Sequence, residues 1–216
     1  MLRFKKYIIL ILVSCCLYSE KLPNDVRWVV QSEEYKMLCN QIYDIAEEKL
    51  RKIVLTYDRN PNQAVIMDLD ETVLDNSRYQ VENFEKGETF NMNSWAKWVN
   101  RAEADLVPGA KEYIDLIRQL GVQLIFISNR MDERLESTKK NMKKLEIYND
   151  NDIYLLRLDK KDKKNIRREE VFKGSNRMSL YGSFEVIMYL GDAMGDFEKT
   201  KFNNNFILPN PMYGKW

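Results

Sequence analysis

The sequence predicts an α/β fold, a mostly parallel sheet flanked by helices, with an N-terminal helical segment ahead of it. Three observations predict it. Short apolar runs of strand length fall at 64–67, 122–127, 153–156, 186–190 and 206–208. Helix-patterned stretches at 110–120, 133–145 and 165–172 lie between most of them, the alternation that builds a parallel sheet with crossover helices. Polar residues follow the runs directly: Asp68 and Asp70 the first, Ser128-Asn129-Arg130 the second, Gly191-Asp192 the fourth. Sites in open α/β sheets form beyond the carboxyl ends of strands, so function is to be sought there.

Residues 1–14 stand apart from the fold. Arg3, Lys5 and Lys6 precede the apolar run 7–13, and small Ser14 and Cys15 follow, which is the pattern of a secretory signal. The run is shorter than the roughly 20 apolar residues that span a bilayer. Leu12-Val13-Ser14-Cys15 resembles the bacterial lipobox, whose cysteine is lipidated and becomes the new N-terminus. An ordinary signal cut elsewhere and an uncleaved anchor are the competing readings. On the lipobox reading Cys15 carries acyl chains, palmitate among them, that anchor the chain to a membrane, and residues 15–24 are a tether. Cys16 stands where an Asp would mark inner-membrane retention, which favours the outer membrane. The three cysteines give no disulfide framework, although Cys16 and Cys39 leave one bridge open.

The folded part runs from 25 to 216. Val29, Tyr35, Leu38, Ile42, Ile45, Leu50, Ile53 and Val54 recur at helical spacing, as one long amphipathic helix or two, ending before the breaker Asn60-Pro61-Asn62. A stripe of this kind is core. The 216 residues suit one generous domain. The net charge of +1 supplies no bulk attraction to nucleic acid or anionic lipid, so anion recognition has to be local. Histidine is absent, which excludes Ser-His-Asp and Cys-His catalysis and His-ligated zinc or haem.

Asp68 and Asp70, two apart at a strand end, can point the same way. Carboxylates so close need a cation between them or a proton on one. Both answers suit phosphoryl transfer, with Mg²⁺ on carboxylate oxygens, one acid attacking phosphorus and the other protonating the leaving alkoxide. A strand-end turn of solvated acids is the plain alternative. Asp192 and Asp196 form a second acidic pair, where a helix N-cap with an acid in its first turn competes. Ser128, with neighbouring amides, can donate to a phosphate oxygen. The basic run from Lys160 to Arg168 is mostly a solvated face, but such a site needs a fixed cation, and Lys164 is the candidate, with Lys161 second.

In this order the clusters resemble the haloacid-dehalogenase (HAD) superfamily, and within it the bacterial lipoprotein acid phosphatases, called class C acid phosphatases or lipoprotein 5′-nucleotidases. The likeness runs through Asp68-Leu69-Asp70-Glu71-Thr72 to Asn76-Ser77, then Tyr79, Phe90, Trp95, Trp98, Val99 and Pro108-Gly109-Ala110. It continues through Ser128-Asn129-Arg130, Lys164 with Arg167, Gly191-Asp192 with Asp196-Phe197, and Leu208-Pro209-Asn210 with the closing Tyr213-Gly214-Lys215-Trp216. It implies a HAD-like Rossmannoid domain over 25–216 with a small cap insertion at about 77–105. It implies Asp68 as nucleophile and Mg²⁺ ligand, and Asp70 as acid/base with its backbone carbonyl on the metal. Asp192 would be the third ligand and Asp196 would ligate through water or orient the site. Thr72, Ser128, Asn129 and Lys164 would hold the phosphate. Trp95 and Tyr213 would sandwich a nucleoside base, with Trp98 packing in the core. The expected activity is hydrolysis of 5′-mononucleotides, nicotinamide mononucleotide included, at the cell envelope. A homodimer is part of the implied picture and a nucleic-acid polymer is not. A broad acid phosphatase, or a surface lipoprotein that binds haem or a host ligand on an idle scaffold, are the alternatives.

Overall fold

The structure, a computed structural model, describes residues 21–56, 62–198 and 204–214. Cys15, Cys16 and the breaker at Asn60-Pro61 lie outside the described residues.

The helical segment is two helices, α1 (Asn24–Gln31) and α2 (Glu33–Thr56). Ser32 divides them, its Oγ accepting from the Tyr35 backbone N–H at 3.1 Å as an N-cap does. The buried face of α2 is Tyr35, Cys39, Tyr43, Ala46, Leu50 and Ile53, while Leu38 and Ile45 of the expected stripe are exposed. Tyr43 causes the rotation. Its ring packs on Tyr113 and its hydroxyl donates to the Thr72 carbonyl at 2.5 Å, so this face turns inward.

The five expected strands all form. They are β1 (Gln63–Met67), β4 (Gln123–Met131), β5 (Ile153–Arg157), β6 (Glu185–Gly191) and β7 (Asn205–Ile207), in the order β5-β4-β1-β6-β7. Every pairing is parallel. β1 lies at the centre with all its residues buried; Ala64 and Ile66 face one core cluster, Val65 and Met67 the other. Because β4 and β6 flank β1, the three polar clusters read from the sequence emerge side by side.

Helices α5 (Ala110–Gln119), α6 (Leu135–Lys144) and α7 (Lys164–Lys173) fall where periodicity put them. The stretch starting at 133 opens as a tighter turn, Asp132–Arg134, before α6. One expectation needs correcting. Ser128-Asn129-Arg130 does not follow its strand but lies within it, because β4 shifts register after Ile127 and resumes pairing at Met131↔Arg157. An irregularity of this kind re-aims side chains where it interrupts the ladder.

The stretch 77–105 holds α3 (Ser77–Glu85) and α4 (Met92–Arg101). A two-stranded antiparallel ladder, β2 (Leu74–Asp75) with β3 (Asp105–Leu106), clamps its ends together. No apolar run announced these strands, which are two residues each. Asn91 caps α4 through Ser94 N–H at 2.8 Å, and Arg101 ties α4 to Glu82 of α3 by a two-pronged pair at 2.6 and 2.8 Å.

Gly174 ends α7 at φ +60°, and a Cβ there would lie 2.6 Å from the backbone of Gly182 and Ser183. Gly174→Ala is expected to destabilise the fold by about 2 kcal/mol through left-handed strain plus that clash. Urea unfolding would read it, and an unchanged midpoint would refute it.

Candidate active site

Asp68 leaves the end of β1, its backbone N–H still bonded to the Leu190 carbonyl of β6 at 3.0 Å. The buried Asp68 carboxylate therefore stands beside the loop after β6, which carries Asp192 and Asp196. Oxygens of Asp68, Asp192 and Asp196 all lie within 4.8 Å of one another. Lys164, the first residue of α7, closes the set: its Nζ is 2.5 Å from Asp68 Oδ1 and 2.5 Å from Asp196 Oδ1. A cation in the first turn opposes the helix dipole, and two carboxylates offset that. Lys161, by contrast, is exposed, with its backbone N–H on Asp159.

Burial holds the Asp68 carboxyl well above the usual range; Lys164 pulls it down, while Asp196, Asp192 and Asp70 push the same way as burial. Burial likewise raises Asp192 to about 6, opposed by the Asn210 amide, which donates to it at 2.7 Å. Burial works against the charge on Lys164, yet Asp68 and Asp196 outweigh it and raise that group. Three carboxylates this close, those of Asp68 and Asp196 buried and that of Asp192 half-buried, are a donor set for a hard divalent cation, which takes oxygen ligands. The site fits one. Gly191 is part of that fit, because a Cβ there would sit 2.4 Å from the Asp196 Cβ. Gly191→Ala should push Asp196 out of the set and weaken divalent-cation affinity about tenfold, read by calorimetry.

Asp70 is not in this set. Its carboxylate is turned to Arg130, whose Nη2 and Nε reach Oδ1 at 2.7 and 2.9 Å, so only its backbone carbonyl is left to serve a metal. Arg130 lies buried in the irregular part of β4, and from there its guanidinium takes the Asp70 carboxylate. One acid thus has a lysine and two carboxylates for company, and the other a guanidinium. This separates their roles.

The phosphate-binding candidates divide. Ser128 is wholly buried; its Oγ accepts from Arg130 N–H at 3.1 Å and meets Asp70 Oδ2 at 3.4 Å. Asn129 is exposed, and its Oδ1 takes Arg167 Nη2 at 3.0 Å. Thr72 is fully enclosed, with Oγ1 shut from solvent and without a partner. Tyr43 holds its backbone, donating to the Thr72 carbonyl at 2.5 Å.

Trp95 is half-buried, packed edge-on against Tyr79 at 5.2 Å between centroids, and the Arg130 guanidinium lies 5.9 Å from its ring centre. It therefore borders the Asp70 end of the site. Trp98 is buried, as expected of a packing residue. Tyr213 is 39% exposed and makes no ring contact with the insertion's aromatics among the described residues. The site is approached by its chain neighbour Asn210, which holds Asp192.

Four residues matter here without having been given a role from the sequence: Arg130, Asn76, Arg167 and Asn210. Each lay inside a quoted motif, but a role for a buried guanidinium or amide follows from its partners, and these are 18 to 60 positions away.

The family model for the HAD superfamily, subfamily IIIB (acid phosphatase), matches residues 16–216. A solved structure of the class C acid phosphatase from Bacillus anthracis superposes with a TM-score of 0.74 at 28% identity, over 88% of this chain and 84% of that one. The tungstate-bound form of that enzyme matches with the same TM-score at 27% identity. Among curated relatives, a stem 31 kDa glycoprotein of Glycine max is 27% identical over 156 residues, 70% of this chain and 59% of its own length. Acid phosphatase 1 of Solanum lycopersicum is 24% identical over 181 residues, 83% of this chain and 69% of its own. The chain thus spans about three-fifths of the length of the first of these relatives. With the family match covering nearly its whole length, and a parallel sheet presenting acids at its strand ends, the chain belongs to the acid phosphatase subfamily IIIB of the HAD superfamily.

Proposed function

We propose that this chain is a Mg²⁺-dependent phosphomonoesterase that hydrolyses 5′-nucleotides through an aspartyl-phosphate on Asp68. The observation that carries the reading is the division of labour between the two acids: Asp68 in a cation-binding set with Lys164, Asp70 held apart on Arg130. Asp68, Asp192, Asp196 and the Asp70 backbone carbonyl would hold the divalent cation, which would supply charge neutralisation to the phosphate. Lys164 supplies the fixed positive charge for the phosphate oxygens, aided by Ser128. An Asp68 oxygen attacks phosphorus as the bond to the leaving oxygen breaks, and Asp70 gives that oxygen its proton. Asp70 then takes a proton from the water that hydrolyses the aspartyl-phosphate.

The nucleotide part of the reading is supported by Trp95, a half-exposed ring next to Arg130 at the leaving-group side. Stacking on a base contributes roughly 1–3 kcal/mol, so Trp95→Ala should raise KM for nucleotides about tenfold and leave p-nitrophenyl phosphate nearly unchanged. Tyr213 is proposed as the second face of that pocket. The lipobox supports a lipid anchor on Cys15, and Cys16 after it favours the outer membrane; palmitate labelling that persists in Cys15→Ser would remove the anchor.

The deciding experiment measures phosphate release from a nucleotide panel with Mg²⁺ or with EDTA. Activity should fall at least about 100-fold on chelation and return with Mg²⁺. Full activity in EDTA would overturn the reading.

A further inference from the structure

Asp70 is held by more than its arginine. The Asn76 amide nitrogen donates to Asp70 Oδ1 at 3.0 Å and to the Leu74 carbonyl at 3.1 Å. Its oxygen accepts from the Trp98 indole N–H at 2.8 Å and from Arg130 Nη2 at 3.3 Å. Asn76 is fully buried, and its backbone N–H is bonded to Glu71 Oε1 at 3.1 Å. Trp98 belongs to α4 of the insertion. One amide therefore joins the insertion's helix to the acid carboxylate.

The chemistry of the position is narrow. The side chain has to donate to a carboxylate and accept from an indole and a guanidinium at once, which a primary amide does. Aspartate there would set a second negative charge against Asp70, and leucine would leave the buried indole N–H without a partner. Trp98 is itself fixed, with Arg101 over its ring at 4.8 Å and Tyr79 at 6.1 Å, and Tyr79 packs on Trp95.

We propose that Asn76 is a positioning residue that ties helix α4 to the Asp70 carboxylate, so that proton delivery to the leaving oxygen depends on how the insertion is seated. The proposal rests on the reading of Asp70 as the proton donor. In the step concerned, the Asp68 oxygen–phosphorus bond forms, the phosphorus–leaving-oxygen bond breaks, and the Asp70 proton passes to that oxygen. An alkoxide cannot depart without that proton; p-nitrophenolate can.

The test compares kcat/KM for benzyl phosphate and p-nitrophenyl phosphate, which share a single ring and differ in how much the leaving oxygen needs a proton. Wild type, Asp70→Asn, Asn76→Leu and Trp98→Phe are measured; Trp98→Phe removes the indole N–H's bond with one of the two fused rings and keeps an aromatic ring in the core. General acid catalysis is worth about 10²–10⁴-fold, and a displaced acid forfeits part of it. Trp98→Phe and Asn76→Leu should therefore lose about tenfold or more on benzyl phosphate and less than about threefold on p-nitrophenyl phosphate. Equal or reversed losses in these variants, beside a leaving-group-dependent loss in Asp70→Asn, would overturn the positioning role. Equal losses in Asp70→Asn would instead overturn the role of Asp70. Should Asn76→Leu fail to fold, Trp98→Phe carries the test alone.

Discussion

Asp68→Asn is expected to lower kcat for phosphate-ester hydrolysis by about 10⁴-fold or more while leaving the protein folded. The substitution keeps shape and one oxygen, so Lys164 still has an acceptor where Asp68 Oδ1 now sits at 2.5 Å. On the proposed mechanism it removes the nucleophile, because an amide does not attack phosphorus, together with one charged member of the three-acid set. Stability should not suffer. Burial already opposes charge on Asp68, so a neutral amide in that place relieves desolvation and repulsion from Asp192 and Asp196. Steady-state phosphate release with unfolding followed by circular dichroism separates the two effects. Trapping with substrate and acid quench should show a phosphoryl mass on the peptide carrying Asp68 in the wild type and none in the variant. Activity within tenfold of wild type would remove Asp68 from the role.

The large features of this molecule were legible in the sequence because they are periodic or local. Runs such as 186–190 and 153–156 have the length and composition of buried parallel strands, and Asp68, Asp192 and Lys164 follow or open elements whose ends periodicity located. The strand order places β4, β1 and β6 together, which turned three separate clusters into neighbours. What was not legible depends on side-chain partnerships across the chain. The inward face of α2 was off by about one position, because Tyr43 reads as one more aromatic until Thr72 and Tyr113 are seen beside it. The ladder of β2 with β3 is too short to leave a pattern. In the sequence Arg130 is only the third residue of a polar triplet, yet its guanidinium takes the Asp70 carboxylate away from Asp68, Asp192 and Asp196. Thr72 fits a phosphate role by chemistry, and its side chain is as fully enclosed as that of Ser128.

Arg167→Leu is expected to be the most damaging substitution for stability outside the apolar core, at about 4 kcal/mol and roughly 12 °C in Tm. The Arg167 guanidinium is wholly buried, and burial pushes it down to about 10, with Asp162 acting the other way. It stays because of what it binds. Nη1 donates to the Ser128 carbonyl and, at 3.0 Å, to the Leu155 carbonyl, joining β4 to β5 where their ladder is interrupted. Nη2 donates to Asn129 Oδ1 at 3.0 Å and the Asp162 carbonyl at 3.3 Å, and the Asp162 carboxylate lies 3.4 Å from Nε. Leucine would leave these carbonyls buried without donors, and each such group costs about 1–3 kcal/mol. Asp162 would be spared the full loss, because Arg177 also reaches it at 3.1 Å. Lysine keeps the charge but not the fork, so Arg167→Lys should recover only part of the stability. The same contacts set the ends of β4 and the start of α7, where Ser128 and Lys164 lie. Arg167→Leu should therefore lose activity even at temperatures where it remains folded, whereas Gly174→Ala, at the far end of α7, should lose stability alone. Urea unfolding alongside activity at low temperature distinguishes the two. A stability loss below about 1 kcal/mol for Arg167→Leu would mean that the carbonyls find other donors, and that the strand ends are held by the sheet without the guanidinium.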